Sequence, residues 1–393
     1  MRQGTWRTAA MAGVAAAGML LAAAQAAQAQ VLIIGTDEKA TWNDAGQLVN
    51  QPPGNDKFIV VDIADRENPK IAGEIPLNNS VVGPPTNLAV VPPGNFALIA
   101  SSIESKKDGD AWKPGPDTKL HLVDLKAKPP AVVSTIDVGK QPSGIAVDPR
   151  GSYALVTNRA DNSVAVVAIE GKTLKLTETV PVGDTVAAVA MTPDARLAFA
   201  VKPTINRVAV LKYDAGKLTY DKYDMTVGVF PYNVDVAAGG KIALTANNGF
   251  AGAADGNVDT VSVIDVEANP PRVIDFVTVG DGPEGLTIGP KGDYAAVALL
   301  RGSNSDKKAF FYNKNGSIVL LKIDGKNVTR VNEVEVGGLP EGMAFSPDGA
   351  YLYVGNFLDS DLWVLKVDGG KLVDTGKRLK LPGHPASLRG SVG

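Results

Sequence analysis

The chain has 393 residues, with 39 basic against 42 acidic side chains, two histidines and no cysteine. So even a charge balance supplies no electrostatic footprint for nucleic acid and no polybasic membrane patch. The missing cysteines exclude disulfides, thiolate metal sites, covalent c-type haem and a thiol nucleophile, so the fold must rest on packing alone.

In chain order, the first element is a leader. Arg2 and Arg7 precede an apolar run from Met11 to Ala24, and Ala27-Gln28-Ala29 supplies a small-x-small cleavage signal. Residues 1–29 read as a Sec-type secretory signal peptide cut after Ala29. The apolar run is shorter than the roughly 20 residues that span a bilayer. The expected mature chain is therefore periplasmic or secreted, with no membrane span, and residues 30–393 form a single domain.

A phrase then recurs. "VGPPTNLAVVPPGNFALIAS" starts at Val82, and related phrases start at Val138, Val182, Val227, Val279 and Val336. Spacings of roughly 45 to 55 residues fit one four-stranded unit each. In the copy from Val138, "SGIAV" is a first strand, "DPRG" a turn, "YALVT" a second strand and "SVAVVAI" a third. Hairpin signals such as "EGKT" and "DGKN" then lead into a charged fourth strand, as suits an outer edge. The first strands are rich in Gly and Ala, as expected where inner strands crowd one axis. "LPGHPASLRGSV", from Leu381, reads as a seventh copy that stops after its first strand, and Val31 to Leu77 supplies the missing three. The predicted fold is an all-β, seven-bladed β-propeller of four-stranded antiparallel blades, closed by a blade shared between N- and C-terminal segments.

"YVGN" at Tyr353 to Asn356, "LVTN" at Leu155 to Asn158 and the "VG..P.G.A..P.G" frame resemble the YVTN-repeat seven-bladed propellers. That family and its relatives include lactonase-like hydrolases, surface-layer proteins and the propeller parts of amine dehydrogenases and haem-d nitrite reductase. The resemblance implies a fold and leaves the chemistry open.

Few motifs carry chemistry. "GDGPEG", Gly280 to Gly285, spells a dinucleotide loop but precedes a strand where a helix is required. Asp108 to Asp117 and Asp255 to Asp259 read first as turn formers, with a nearby calcium ion as the alternative. His121 alternates within apolar "KLHLVDL" and reads as a packing position. His384, in "PGHP", precedes the innermost strand of the shared blade. Lactonase-like relatives place "PRH" in an equivalent loop, and the arginine is missing here.

Aligning the copies gives one ring position: Thr86, Ser143, Ala187, Tyr232, Glu284, Glu341 and Ala386. Glu284 and Glu341 on neighbouring blades would raise one another's pKa or attract a cation such as calcium. The candidate ligand site joins them to Tyr232 and Asn233, with Asn87, Ser143 and His384 opposite, and Asp235 and Arg389 further along a wet channel. Long loops at residues 37–56, 101–119, 247–260 and 300–317 elaborate the same face and bring Trp42, Trp112, Phe310, Phe311 and Tyr312.

The leading expectation is a monomeric binding protein for a small polar ligand or another exported protein, with no resident metal or cofactor. The alternative is a lactonase-like hydrolase using a glutamate or His384 as general base. A third is an accessory or dehydrogenase-type subunit holding a non-covalent cofactor.

Overall fold

The computed structural model describes residues 30–79, 83–214 and 216–391, so the leader, Val82 and the last two residues lie outside it. Seven antiparallel sheets surround one axis, and their innermost strands contact one another in a closed circle. The first blade is assembled from both ends of the chain. Pro385–Gly390 is innermost, followed by Val31–Thr36, Lys57–Asp62 and Lys70–Pro76, with Ile33 opposite Arg389. The third blade shows the regular pattern in Pro142–Val147, Tyr153–Asn158, Ser163–Glu170 and Thr173–Pro181.

Burial follows position in the blade. Every residue of Tyr153–Asn158 is buried, whereas Thr173–Pro181 is mostly exposed. The second and third strands are apolar on both faces because each blade is sandwiched between two others. Leu155 and Val166, for example, pack against Ala198, Ala200 and Leu211 of the fourth blade. Each fully buried Val or Leu contributes about 1.5–3 kcal/mol, and such inter-blade clusters replace the cross-links that a cysteine-free chain cannot make.

The recurring "VG" and the recurring Asn are the two halves of one contact. Asn158 Nδ2 donates to Val138 O at 3.0 Å, and Gly337 N donates to Asn356 Oδ1 at 3.1 Å. A Cβ on Gly139 would lie 2.4 Å from Asn158 Nδ2, and one on Gly228 the same distance from Asn247 Nδ2. Only glycine leaves room for the amide that ties the incoming loop to the end of the second strand.

The fourth blade departs from the expected pattern. Its outer strand is broken into Lys217–Thr219 and Asp224–Thr226, both paired with Arg207–Asp214. The break brings Tyr220 and Asp224 to the buried ammonium of Lys202, at 2.9 and 2.8 Å. A buried cation needs such partners, and the continuous ladder yields to them.

Candidate functional site

The site begins with a repeated irregularity. In the third, fifth, sixth and seventh blades, pairing between the first two strands slips just after the leading proline: Pro142/Ile145, Pro231/Asn233, Pro283/Leu286 and Pro340/Met343. A bulge frees the next side chain from the ladder and re-aims it. Those side chains are Ser143, Tyr232, Glu284 and Glu341. After the serine and both glutamates stands a glycine, needed because a Cβ on Gly285 would lie 2.4 Å from Glu341 O, and one on Gly342 2.2 Å from Leu388 N. Inner strands thus approach closely enough for the two carboxyls to sense each other.

Glu284 and Glu341 are each 9% exposed. Burial pushes Glu284 up to about 7, with Arg159 pulling it back. Burial raises Glu341 well above the usual carboxylate range, and the charges of Glu284 and Asp37 raise it further. Tyr232 completes the arc, its phenol raised to about 12 by burial. Arg159 reaches from the third blade past the small residues of the fourth, placing its guanidinium 5.7 Å from the Tyr232 ring centre and 3.5 Å from the Tyr232 hydroxyl.

A second ring lies one residue beyond the repeated Asn: Asp37, Ser101, Arg159, Pro203, Asn248, Leu300 and Phe357. Sequence reasoning missed it, although carrying the alignment one position further would have exposed it. Asp37 belongs to a buried trio. Lys39 Nζ lies 3.0 Å from Asp37 Oδ1 and also contacts Asp56 Oδ2. Burial raises Asp37 to about 8 against the opposing charge of Lys39. Asp37 Oδ2, Thr86 Oγ1, Ser143 Oγ, Arg159 Nε and both polar atoms of the Asn248 amide are buried without a hydrogen-bond partner among the described residues. Buried polar atoms are normally paired, so this group of exceptions sets the mouth apart chemically.

The apolar members of the second ring form a roof. Leu300 and Phe357 are buried with Leu339 and Ala254, and Trp42, Phe311 and Ala386 pack against them. Trp42 meets Phe357 edge-on at 5.3 Å. The roof is strapped across the seventh blade by the hairpin Ala40–Trp42 and Leu48–Asn50, whose Ala45 bridges Asp306 of the sixth blade. Lys307 N donates to Asp44 O at 3.0 Å, and Lys307 Nζ lies 2.6 Å from Asp44 Oδ1.

Other expected site residues have different posts. Asn233 Nδ2 donates to Leu286 O at 3.4 Å, and its Oδ1 accepts from Val234 N at 2.8 Å, so the amide binds the fifth blade to the sixth. Asn87 Nδ2 donates to Ala100 O at 3.0 Å while its Oδ1 stays unpartnered. His384 closes the shared blade. Its ring stacks on Phe357, its Nδ1 lies 2.6 Å from Phe357 O, and its backbone N–H donates to Glu38 Oε1 at 2.6 Å. It lines a rim cleft of about 330 Å³ with Glu38 and Gln51. A second cleft, about 220 Å³ between Trp42, Lys307, Tyr312 and Asp359, also lies off the axis, and neither is lined by Glu284 or Glu341.

Further along the channel, Asp235 accepts from Val236 N and Ile288 N at 2.9 and 2.8 Å. Burial raises Asp235 and lowers Arg389, and each charge partly offsets the shift of the other across the channel. His121 is half-buried, held 2.9 Å from Thr135 Oγ1, with burial lowering its pKa. Asp255 and Asp259 cap loop backbone at Asn257 N and Gly282 N. Among the described residues no group of three or more His, Asp or Glu side chains is placed to hold a metal ion, and no helix is long and apolar enough to cross a membrane.

No family model matches the chain, and no curated protein matches it. Solved structures do. A functionally unknown protein from Desulfotomaculum acetoxidans aligns at 13% identity over 92% of this chain and 99% of its own, with a TM-score of 0.67. The periplasmic gluconolactonase of Pseudomonas aeruginosa aligns at 18% identity over 92% and 99%, with a TM-score of 0.65. Kuenenia stuttgartiensis hydrazine synthase aligns at 19% over 79% and 90%, with a TM-score of 0.60. The protein is a seven-bladed β-propeller with lactonase-like structural neighbours. At these identities the likeness establishes the fold alone.

Proposed function

We propose that this is an exported propeller that binds a small, hydroxyl-bearing ligand at the roofed end of its channel. The observation that supports this reading is the set of unpartnered buried polar atoms around Glu284 and Glu341 under an apolar cover. A fold keeps such atoms desolvated at a cost of about 1–3 kcal/mol each, a cost that a ligand's own hydrogen bonds offset. Export rests on the leader pattern of residues 1–29 and the YVTN-type repeats. The test is a thermal-shift screen of small polyols, sugars and sugar acids against the mature protein and the E284Q/E341Q double variant. Ligands that stabilise the first and not the second are expected; stabilisation unchanged by the double substitution would refute the site.

A second reading, lactone hydrolysis, is favoured by one specific feature. Glu284 titrates near 7, where a carboxyl is suited to act as general base on water, and a gluconolactonase shares the fold. Titrating acid release from glucono-δ-lactone at constant pH decides it. A rate equal to the buffer blank excludes the reaction.

A further inference from the structure

Arg159 is the feature of the mouth that neither the repeats nor the fold explains. Among the described residues its guanidinium makes no ion pair, and its contact with the Tyr232 hydroxyl, at 3.5 Å, is at the limit of a hydrogen bond. Its Nε is buried without a partner. The buried cations of this end are already committed, Lys39 to Asp37 and Asp56 and Lys202 to Asp224. A guanidinium resting on an aromatic face, with a donor edge unsatisfied, is organised in advance for a planar anion that accepts two parallel hydrogen bonds.

Resting on the reading of the mouth as a ligand site, we infer that the ligand carries a carboxylate and that Arg159 is its receptor. The charge count selects a monoanion. One guanidinium is without an ion pair among the described residues, and the charge it acts on is the carboxyl of Glu284, so a doubly charged phosphate monoester would add a second negative charge with no cation to meet it. Glu284 and Glu341 are raised by burial, so below their titration they present O–H donors and leave the charge of Arg159 unopposed. Ser143 Oγ, Thr86 Oγ1 and the Asn248 amide supply further buried donors and acceptors, which suit hydroxyl groups on the same small molecule.

The test uses three two-carbon probes that share one hydroxymethyl end and differ in the charged or neutral group at the other: glycolate, ethylene glycol and ethanolamine. Each is titrated at pH 6 and low salt into the full mature chain while the Arg159 Nε–H resonance is followed by NMR, the signal being assigned by its loss in Arg159→Lys. Glycolate is expected to move the Nε–H resonance saturably, at least tenfold more tightly than ethylene glycol. Arg159→Gln is expected to abolish the accompanying response of Tyr232 while the variant still unfolds in a single cooperative transition without probe. Perturbation of Tyr232 by ethanolamine or ethylene glycol as strongly as by glycolate would keep the mouth as a ligand site and overturn the carboxylate assignment. So would a glycolate response that survives in Arg159→Gln. Failure of all three probes to perturb any mouth resonance would overturn both.

Discussion

Glu284→Gln isolates the electrostatic cost of the mouth, since it keeps the shape of the side chain and removes its charge. In the folded protein the carboxyl titrates at about 7, against 4.5 ordinarily, because burial disfavours the ionised form. The native state therefore holds this proton more tightly than the unfolded chain does. Stability contributed by the protonated group is present at pH 4 and is lost as pH rises toward 7. With 1.36 kcal/mol for each pH unit between the two titrations, the charged group costs the fold about 3 kcal/mol at pH 8. The glutamine variant is expected to match the parent at pH 4 and to exceed it by about 3 kcal/mol at pH 8. Urea unfolding monitored by tryptophan fluorescence, repeated across this range, measures the difference. Because Glu284 also raises Glu341, the double variant with Glu341→Gln should gain less than the sum of the singles. A parent-to-variant gap that is independent of pH, or a variant less stable at pH 8, would refute the reasoning.

Gly342→Val places a Cβ about 2.2 Å from Leu388 N, where backbone has no room to move; a loss of about 3 kcal/mol and faster hydrogen exchange in Pro385–Gly390 are expected. Deleting residues 381–393 removes the inner strand of the shared blade and its ladder to Val31–Thr36, a loss comparable to the whole margin of a typical domain, about 5–15 kcal/mol. Persistence of the parent's cooperative unfolding transition would count against ring closure. Arg389→Met strips Asp235 of its counter-charge, so stability at pH 8 should fall by about 2 kcal/mol and recover in Asp235→Asn/Arg389→Met. Export with cleavage after Ala29 gives a mature protein starting at Gln30; intact Met1 on periplasmic protein, seen by N-terminal sequencing, would rule this out.

The blades were legible because their signals are local. Inner strands need Gly where backbones crowd, turns need Asp and Gly, and the VG-to-Asn contact spans a fixed distance in the three copies that carry the Asn. The shared blade was legible from a copy of the phrase that stops after one strand. Glu284 and Glu341 stood out because they occupy one aligned position. Arg159, Asp37 and Asn248 were missed because they fall one residue past the phrase, where the copies share no residue type. The posts of Asn233 and His384 depend on carbonyls of Leu286 and Phe357 from other blades, which no local pattern announces. The split outer strand of the fourth blade depends likewise on Lys202, whose burial is a tertiary fact.

The shared blade also sets the timing of folding. Val31–Thr36 emerges early in synthesis, yet the strand that covers its inner edge, Pro385–Gly390, emerges last. Six blades can pair within themselves as they appear, while this one must keep a bare strand edge until the far end of the chain arrives. Contacts between positions so distant in sequence form slowly. Under the proposed export the chain crosses a membrane unfolded, and the interval between the first and last strands is then a window of exposure to aggregation and proteolysis. Substitutions that lengthen it should lower the yield of exported protein even when the finished ring is as stable as before.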